Sequence, residues 1–427
     1  MSSPSFQAPK GTHDVLPPES WRWEQLIARF ATTVEGAGYG LVVNPLFEDI
    51  GVFLRGIGEG SEVVTKEMYE FEDKGGRRQA LRPEGTASVV RAFVQHRPPV
   101  PFKGWYVTPA FRYEAPQAGR YRQHHQLGVE ALGTHDPDLD VEVIALADEV
   151  YRSLGLRQVT LKVNSMGDSS CLPAYRRLLA DYLVSRSLCA EHREKVALNP
   201  LRTLDCKRDE CRAATEDAPR MVDHLCAPCA EHFARLGDGL AALGIAYSVD
   251  FRLVRGFDYY TRTTFEFGAE ALAAAQNAVG GGGRYDGLVE ALGGPPTPGI
   301  GFGMGVERIL LACDAEGVLP VPETRLDAFV VDVVGGREAL ALTAELRAAG
   351  LRVDRAYASD DGQPRSMKAQ LRAADRSGAR VAIIVGEDEL AAGTATVKAL
   401  QGGPVQEQVS RSDVVEWVTK LSGGSRP

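Results

Sequence analysis

Residues 111–130 read FRYEAPQAGRYRQHHQLGVE. Arg112 and Glu114 stand two apart, so in an extended segment they share one face. Pro116, Gln117, Ala118 and Gly119 spell a turn or loop. Arg120 and Arg122 follow, then the polar run Gln123 to Gln126, then Glu130. An antiparallel hairpin here brings Arg112, Gln126 and Glu130 near one another, with arginines at the loop. Such a face holds an anionic phosphate on its cationic part and a polar ligand on its carboxylate part. A surface hairpin with a solvated charge ladder uses the same residues equally well. The choice between the two falls to the rest of the chain.

Upstream, Trp23, Leu26, Ile27, Phe30 and Val34 recur at helical spacing, so residues 20–35 are expected to be an amphipathic helix. The glycines at 36, 38 and 40 stop it. YGLVVNPLFED (39–49) is expected to be a strand broken at Pro45. Residues 68–71 and 79–81 form hairpin arms around Asp73-Lys74-Gly75-Gly76. In LRPEGTASVVRAFV (81–94) Pro83 ends a strand and a helix begins near Thr86. Glu84 and Thr86 lie at that junction, where an acid favours the helix dipole or meets a ligand amine. A strand over 105–111 leads into the opening stretch.

Downstream, a helix over 138–154 and a strand over 159–164 precede a change of character. Residues 167–244 are mostly helical in pattern and hold most of the cysteines. Cys206 and Cys211 are followed by Cys226 and Cys229, a CxxxxC…CxxC set with the spacing of a structural zinc site. Four thiols on a helical insertion without metal satisfy the same pattern. Alternation of Tyr247, Val249, Phe251 and Leu253 gives a half-buried strand. It runs into VRGFDYYTRTTFEF, where Arg255, Tyr259 and Tyr260 crowd together. GGGGRYDGL (280–288) and GIGFGMGVERIL (299–310) lack a GxxxxGK[ST] loop and an enclosing dinucleotide-binding unit. Their glycines suit close approach of backbone to a flat ligand. Arg308, in the first turns of the helix that follows, is placed to meet a terminal phosphate.

Pro320 to Glu323 marks a linker, and beyond it strand and helix patterns alternate. Between Arg352 and Arg380 seven basic residues face four acids. Arg365, Lys368 and Arg372 form a helical stripe, either a solvated face or a surface for RNA. The whole chain of 427 residues carries a net charge of −9, which speaks against indiscriminate nucleic-acid binding. No apolar run is long enough to span a bilayer. The N-terminus shows neither an apolar signal core nor a basic leader, so the protein is expected to be cytoplasmic. An odd count of seven cysteines fits thiols or metal better than disulfides.

Together these segments resemble the class II aminoacyl-tRNA synthetases, and among them the histidyl-tRNA synthetase family, over nearly the whole chain. YGLVVNPLFED resembles the family's motif 1, FRYE…RYRQHHQ its motif 2 and GFGMGVER its motif 3. RGFDYYTRTTFE (255–266) with GGGRYDGL (281–288) resembles the histidine-specific signature. The resemblance implies an α+β catalytic domain over 1–323 with an antiparallel sheet flanked by helices. The mostly helical insertion 167–244 interrupts it, and an α/β anticodon-binding domain covers 326–427. It implies ATP-dependent formation of histidyl-adenylate, with Mg²⁺, and transfer of the histidyl group to the terminal adenosine of tRNA(His). It also implies a homodimer through the Pro45 region.

The resemblance assigns roles as well. Arg112 contacts the α-phosphate and Arg308 the triphosphate end, with Arg120 and Arg122 as further triphosphate ligands. Arg255 is the distinctive catalytic arginine, at a place that a metal fills in related enzymes. Glu84, Thr86 and Gln126 hold the amino end of L-histidine. Glu130, Tyr259 and Tyr260 line the imidazole pocket and Tyr285 closes it. A carboxylate and phenols suit a ring whose nitrogens offer one donor and one acceptor. Two positions depart from the pattern: Ala115 replaces a motif 2 loop arginine, and His124 replaces the phenylalanine that stacks on adenine. The main rival is a non-catalytic, histidine-binding regulatory paralogue of histidine biosynthesis. Such paralogues lose the arginine signature and the C-terminal domain, whereas this chain keeps Arg255 and residues 326–427. A second rival, a sensor of uncharged tRNA, is normally fused to a kinase, and no kinase signature is present.

Overall fold

The computed structural model describes residues 6–422, apart from 59–60, 62, 198, 258, 274–276, 323–325, 360–361, 364 and 402–405. The chain forms two compact units, Met1–Pro320 and Val321–Pro427. The expected boundary at residue 323 lies outside the described residues.

The first unit is built on an eight-stranded sheet. Its order is Gly40–Leu41, Phe102–Phe111, Gln123–Leu132, Gly299–Gly305, Ala278–Arg284, Thr261–Ala269, Val159–Ser165 and Tyr247–Val249. The strands from Phe102–Phe111 to Val159–Ser165 pair antiparallel. Both edges depart from the expected antiparallel pattern, because Gly40–Leu41 and Tyr247–Val249 pair parallel to their neighbours. Each edge strand is separated in sequence from its partner by a long crossover containing helices, the connection that parallel pairing requires. The chain crosses at Pro45 from this sheet into a second, three-stranded one. There Phe47–Asp49 pairs with Arg78–Leu81, and Arg78–Leu81 with Glu70–Glu72. That hairpin turns where expected, with Asp73 Oδ1 accepting from Gly75 N and Arg77 N at 2.8 and 3.0 Å.

Tyr247–Val249 is shorter and wetter than its alternation suggests. All three of its residues are exposed at the sheet edge, where the Tyr247 hydroxyl comes near Gly237 of helix Ala227–Ala242.

Helices Glu19–Gly36, Pro137–Ser153, Ala227–Ala242 and Val306–Glu316 pack on the large sheet. Leu26, Phe30, Ile144, Tyr151, Leu240, Phe265, Phe267 and Ile309 are among the side chains of this core. The insertion has its own smaller core, centred on Tyr175, Leu179 and Leu183. Its helices are Leu172–Val184, Ala190–Lys195, Leu201–Leu204, Asp209–Ala214 and the start of Ala227–Ala242.

In the second unit a five-stranded sheet runs Val353–Arg355, Ala328–Asp332, Val381–Val385, Thr394–Ala399, Gln406–Ser410. The first three strands are parallel and the last two pairings antiparallel. Helices Arg337–Ala348 and Met367–Arg376 supply the crossovers.

Candidate active site

The strands Phe102–Phe111 and Gln123–Leu132 pair in the register Thr108↔Gln126 and Gly104↔Glu130. Gln126 and Glu130 are four apart on one strand and therefore share a face. The adjoining loop closes through reciprocal backbone hydrogen bonds between Gln117 and Arg120. Arg112, at the end of the first arm, donates its Nε to Pro83 O at 2.9 Å. Its guanidinium lies 5.6 Å from the Phe257 ring centroid.

A cavity of about 400 Å³ opens beside this hairpin. Glu84, Thr86, Arg112, Arg120, His124, Gln126, Arg255, Tyr259, Tyr260 and Arg308 all line it. The hairpin, the junction before helix Thr86–His96, the 254–260 loop and the start of helix Val306–Glu316 thus meet in one place. Three expected residues lie outside the lining. Arg122 turns away and stacks 3.8 Å from the centroid of Tyr113, with its Nε donating to Glu114 O at 3.3 Å. Glu130 and Tyr285 are fully buried. Thr86 Oγ1 and Tyr106 OH donate to Glu130 Oε1 at 2.7 and 3.2 Å, and Tyr285 OH donates to Oε2. Spacing along a strand tells which face a side chain takes, but not how deep it sits.

The cationic side is held open by backbone and acids. Arg308 donates to Gly119 O at 3.1 Å and to Ala278 O at 2.8 Å. Burial, and then Arg120 nearby, hold its pKa below the usual arginine range. Arg120 pairs with Glu114 at 3.0 Å. Arg255 donates from Nη1 to Glu266 Oε2 at 2.9 Å, while its buried Nε has no protein partner. Bringing these like charges together is costly unless an anion joins them.

The acidic side is dry. Glu84 caps helix Thr86–His96, accepting from Thr86 N at 2.5 Å and Ala87 N at 2.8 Å. Burial still pushes its pKa up, against those bonds and the nearby Arg112. Gln126 Oε1 accepts from Gly85 N at 3.2 Å. Tyr259 and Tyr260 lie with ring centroids 4.6 Å apart, and Tyr259 meets Tyr285 edge-on at 5.8 Å. Burial, reinforced by Arg112, lowers His124 to about 3, so its ring is neutral and flat at physiological pH.

The glycine runs are neighbouring strands of the floor, Ala278–Arg284 and Gly299–Gly305. A Cβ at Gly282 would meet Gly301 O at 1.9 Å, and one at Gly301 would meet Glu130 Oε2 at 2.0 Å. At Gly281 it would meet the Arg255 guanidinium at 2.8 Å. Glu114, which shares a face with Arg112, lines the cavity as well; Tyr106, Tyr121, Glu266 and Glu307 also line it and were missed in the sequence. Tyr106 and Glu266 sit mid-strand beside the core residues Trp105, Phe265 and Phe267, so alternation places them only on the opposite face of the sheet.

The cysteines correct one expectation. Cys206, Cys211, Cys226 and Cys229 do not share a site. Cys206 and Cys211 gather with Cys189 and His192, whereas Cys226 and Cys229 gather with Asp168 and Cys171. The two CxnC pairs are close in sequence, but the folded helices give each pair different neighbours.

Comparisons with known proteins bear on the whole chain. The family model described as histidyl-tRNA synthetase matches residues 11–309, and one described as an anticodon binding domain matches 318–421. A histidine–tRNA ligase of Rhodococcus erythropolis is 49% identical over 424 residues, covering 98% of each chain. The crystal structure of the apo histidyl-tRNA synthetase of S. aureus superposes with a TM-score of 0.79 at 34% identity, covering 97% of this chain and 100% of that one. A structure described as an ATP phosphoribosyltransferase regulatory subunit/histidyl-tRNA synthetase from Bacillus halodurans shares the fold, with a TM-score of 0.60 at 22% identity over 83% of this chain and 93% of that one.

Proposed function

The chain belongs to the histidyl-tRNA synthetases, of the class II aminoacyl-tRNA synthetases, and from that membership we propose how its own residues divide the work. The protein is a histidine–tRNA ligase. It forms histidyl-adenylate from histidine and ATP, then transfers the histidyl group to tRNA(His). Its C-terminal unit is an anticodon-binding domain.

In the first step the histidine carboxylate attacks the α-phosphate and pyrophosphate leaves. Negative charge builds on the phosphate oxygens, so the chain's task is to put positive charge there beforehand. Arg112 and Arg255 take the α-phosphate, and Arg308 with Arg120 the far end of the triphosphate. The observation that carries this reading is the convergence of these four arginines on one cavity whose other wall is buried carboxylate and phenol. Arg122 braces the loop through Tyr113 instead of binding nucleotide. His124, held neutral, stacks on adenine in place of a larger ring.

Glu84, Thr86 and Gln126 receive the amino group. The carboxylate of Glu84 is oriented by two backbone donors and partly desolvated, so an ammonium restores its charge balance. Tyr259 and Tyr260 flank the imidazole. Glu130 and Tyr285 act from beneath, setting the hydroxyls of Thr86 and Tyr106. ATP brings Mg²⁺. The carboxylates of Glu114, Glu266 and Glu307 on the cavity wall are hard oxygen donors that fit the ion. Bound there, it would neutralise phosphate charge. Any zinc belongs to the insertion and serves its structure.

The protein acts as a homodimer through the segment around Pro45. Support comes from Leu41, Val43, Leu46 and Phe47, four large apolar residues left exposed within this short segment. No described helix is long and apolar enough to cross a membrane, in keeping with a cytoplasmic enzyme. Arg365, Lys368 and Arg372 contact tRNA phosphates. The deciding experiment is histidine-dependent exchange of pyrophosphate into ATP. A regulatory paralogue or a tRNA sensor binds its ligand and gives no exchange.

A further inference from the structure

We propose that the helical insertion binds two zinc ions, one at Cys189, His192, Cys206 and Cys211 and one at Asp168, Cys171, Cys226 and Cys229. Six of the chain's seven cysteines fall in these two sets. In each set one donor atom from every residue lies within 4.8 Å of all the others. Four donors placed tetrahedrally at zinc–sulfur distance are about 3.8 Å apart. In the first set, Cys189 Sγ is 3.0 Å and Cys211 Sγ 3.9 Å from His192 Nδ1. In the second, the sulfurs of Cys171 and Cys226 are 3.7 and 3.8 Å from Asp168 Oδ1. Soft thiolates with one imidazole or one carboxylate select zinc over magnesium or calcium. Both sets use all four positions on protein, the mark of a closed structural site.

The insertion has reason to need them. Its helices Ala190–Lys195, Leu201–Leu204 and Asp209–Ala214 are one or two turns long, too short to stand alone. The first set ties the segments of all three together. The second joins the turn leaving strand Val159–Ser165 to the first residues of helices Leu172–Val184 and Ala227–Ala242. It thereby clamps the insertion's entry to its exit.

The first site also reaches the catalytic loop. Arg202 donates to Gly256 O at 2.8 Å. Asp205, one residue before Cys206, lines the active-site cavity, as Arg255 does. Arg252 donates back to Arg212 O at 3.0 Å. The metal therefore stiffens the segment against which the Arg255 loop rests.

The test uses untagged full-length protein, purified without chelator, for zinc content and for the spectrum after exchange into cobalt. The expected result is roughly two zinc ions per chain, with tetrahedral thiolate–cobalt bands. Cys189→Ser and Cys226→Ser should each lower the content to one. Chelation should raise amide exchange at 201–212 and 252–257 and leave residues 381–385 of the C-terminal unit unchanged. A content of one or none overturns the two-site proposal, and so does the finding that these thiols pair as disulfides in the native protein. Metal content reads the insertion alone, so either result leaves the ligase assignment standing.

Discussion

Thr86 and Glu130 are joined through the floor of the active site, with Oγ1 donating to Oε1 at 2.7 Å. Thr86 faces the cavity while Glu130 is fully buried, so the bond passes the state of a hidden carboxylate to a residue that touches substrate. Burial raises Glu130 to about 8, although its hydrogen bonds from Tyr285, Thr86 and Tyr106 pull the other way. The folded protein therefore holds this proton more tightly than the unfolded chain, where the ordinary value is 4.5. Stability linked to it is complete below that value and is lost as pH rises through about 8. Wild type should lose on the order of a few kcal/mol relative to Glu130→Gln across that interval. Urea midpoints of both proteins check this; parallel profiles would mean that the carboxylate is already ionised throughout.

Arg255→Ala should slow pyrophosphate exchange by about 10²–10³-fold, the scale of losing one preorganised charge from a transition state. Histidine affinity, measured by calorimetry without ATP, should change little. Near-normal exchange would remove Arg255 from the catalytic role.

His124→Phe should leave the KM for ATP within about threefold, since a neutral imidazole and a phenyl ring both offer a flat face. His124→Ala should raise it by roughly tenfold. Because burial and Arg112 hold His124 at about 3, this KM should show no titration step between about pH 5 and 8 that His124→Phe abolishes. Equal KM values for all three proteins would mean that adenine stacks elsewhere.

A methyl group at Gly301 meets Glu130 Oε2 at 2.0 Å and Val129 O at 2.4 Å, whereas at Gly287 nothing lies within 4 Å. Gly301→Ala should therefore destabilise by about 1–3 kcal/mol or more and distort the floor. Gly287→Ala should be close to neutral. Thermal melts compare them directly; a stable Gly301→Ala with intact exchange would argue against so close a packing.

Replacing Arg365, Lys368 and Arg372 together by alanine should raise the KM for tRNA about tenfold or more, and flatten its salt dependence by up to three phosphate contacts. Exchange without tRNA should stay at the wild-type rate. A fall in exchange of the same size would contradict the division of labour between the two units.

The sequence carried the elements of this protein further than their depth. Spacing marked the helix at Glu19–Gly36, the hairpin turning at Asp73 and the strand–helix junction at Glu84, because these depend on neighbours a few residues away. Resemblance identified Arg112, Arg255 and Arg308, which line one cavity although 196 positions separate the first from the last. Three kinds of fact were not legible. Glu130 and Tyr285 share the pocket's chemistry but lie under its lining, since burial is set by the strands packed alongside. The cysteines are sorted by helix packing, so a pair spaced like one half of a zinc site finds its other half elsewhere. Tyr247–Val249 alternates like a half-buried strand, yet all three of its residues are exposed at the sheet edge.

The two glycine strands make much of the floor from main chain alone. Where an added Cβ would collide, as at Gly281, Gly282 and Gly301, the peptide groups leave no room for a side chain and this surface is fixed once the sheet has formed. Drift toward a different amino acid is left to the rim, at Tyr259, Tyr260 and the residues that steer Thr86, and to Gly303, where an added Cβ comes no nearer than 3.9 Å to Gln126. Redesign of the enzyme for imidazole-like monomers has the same few handles.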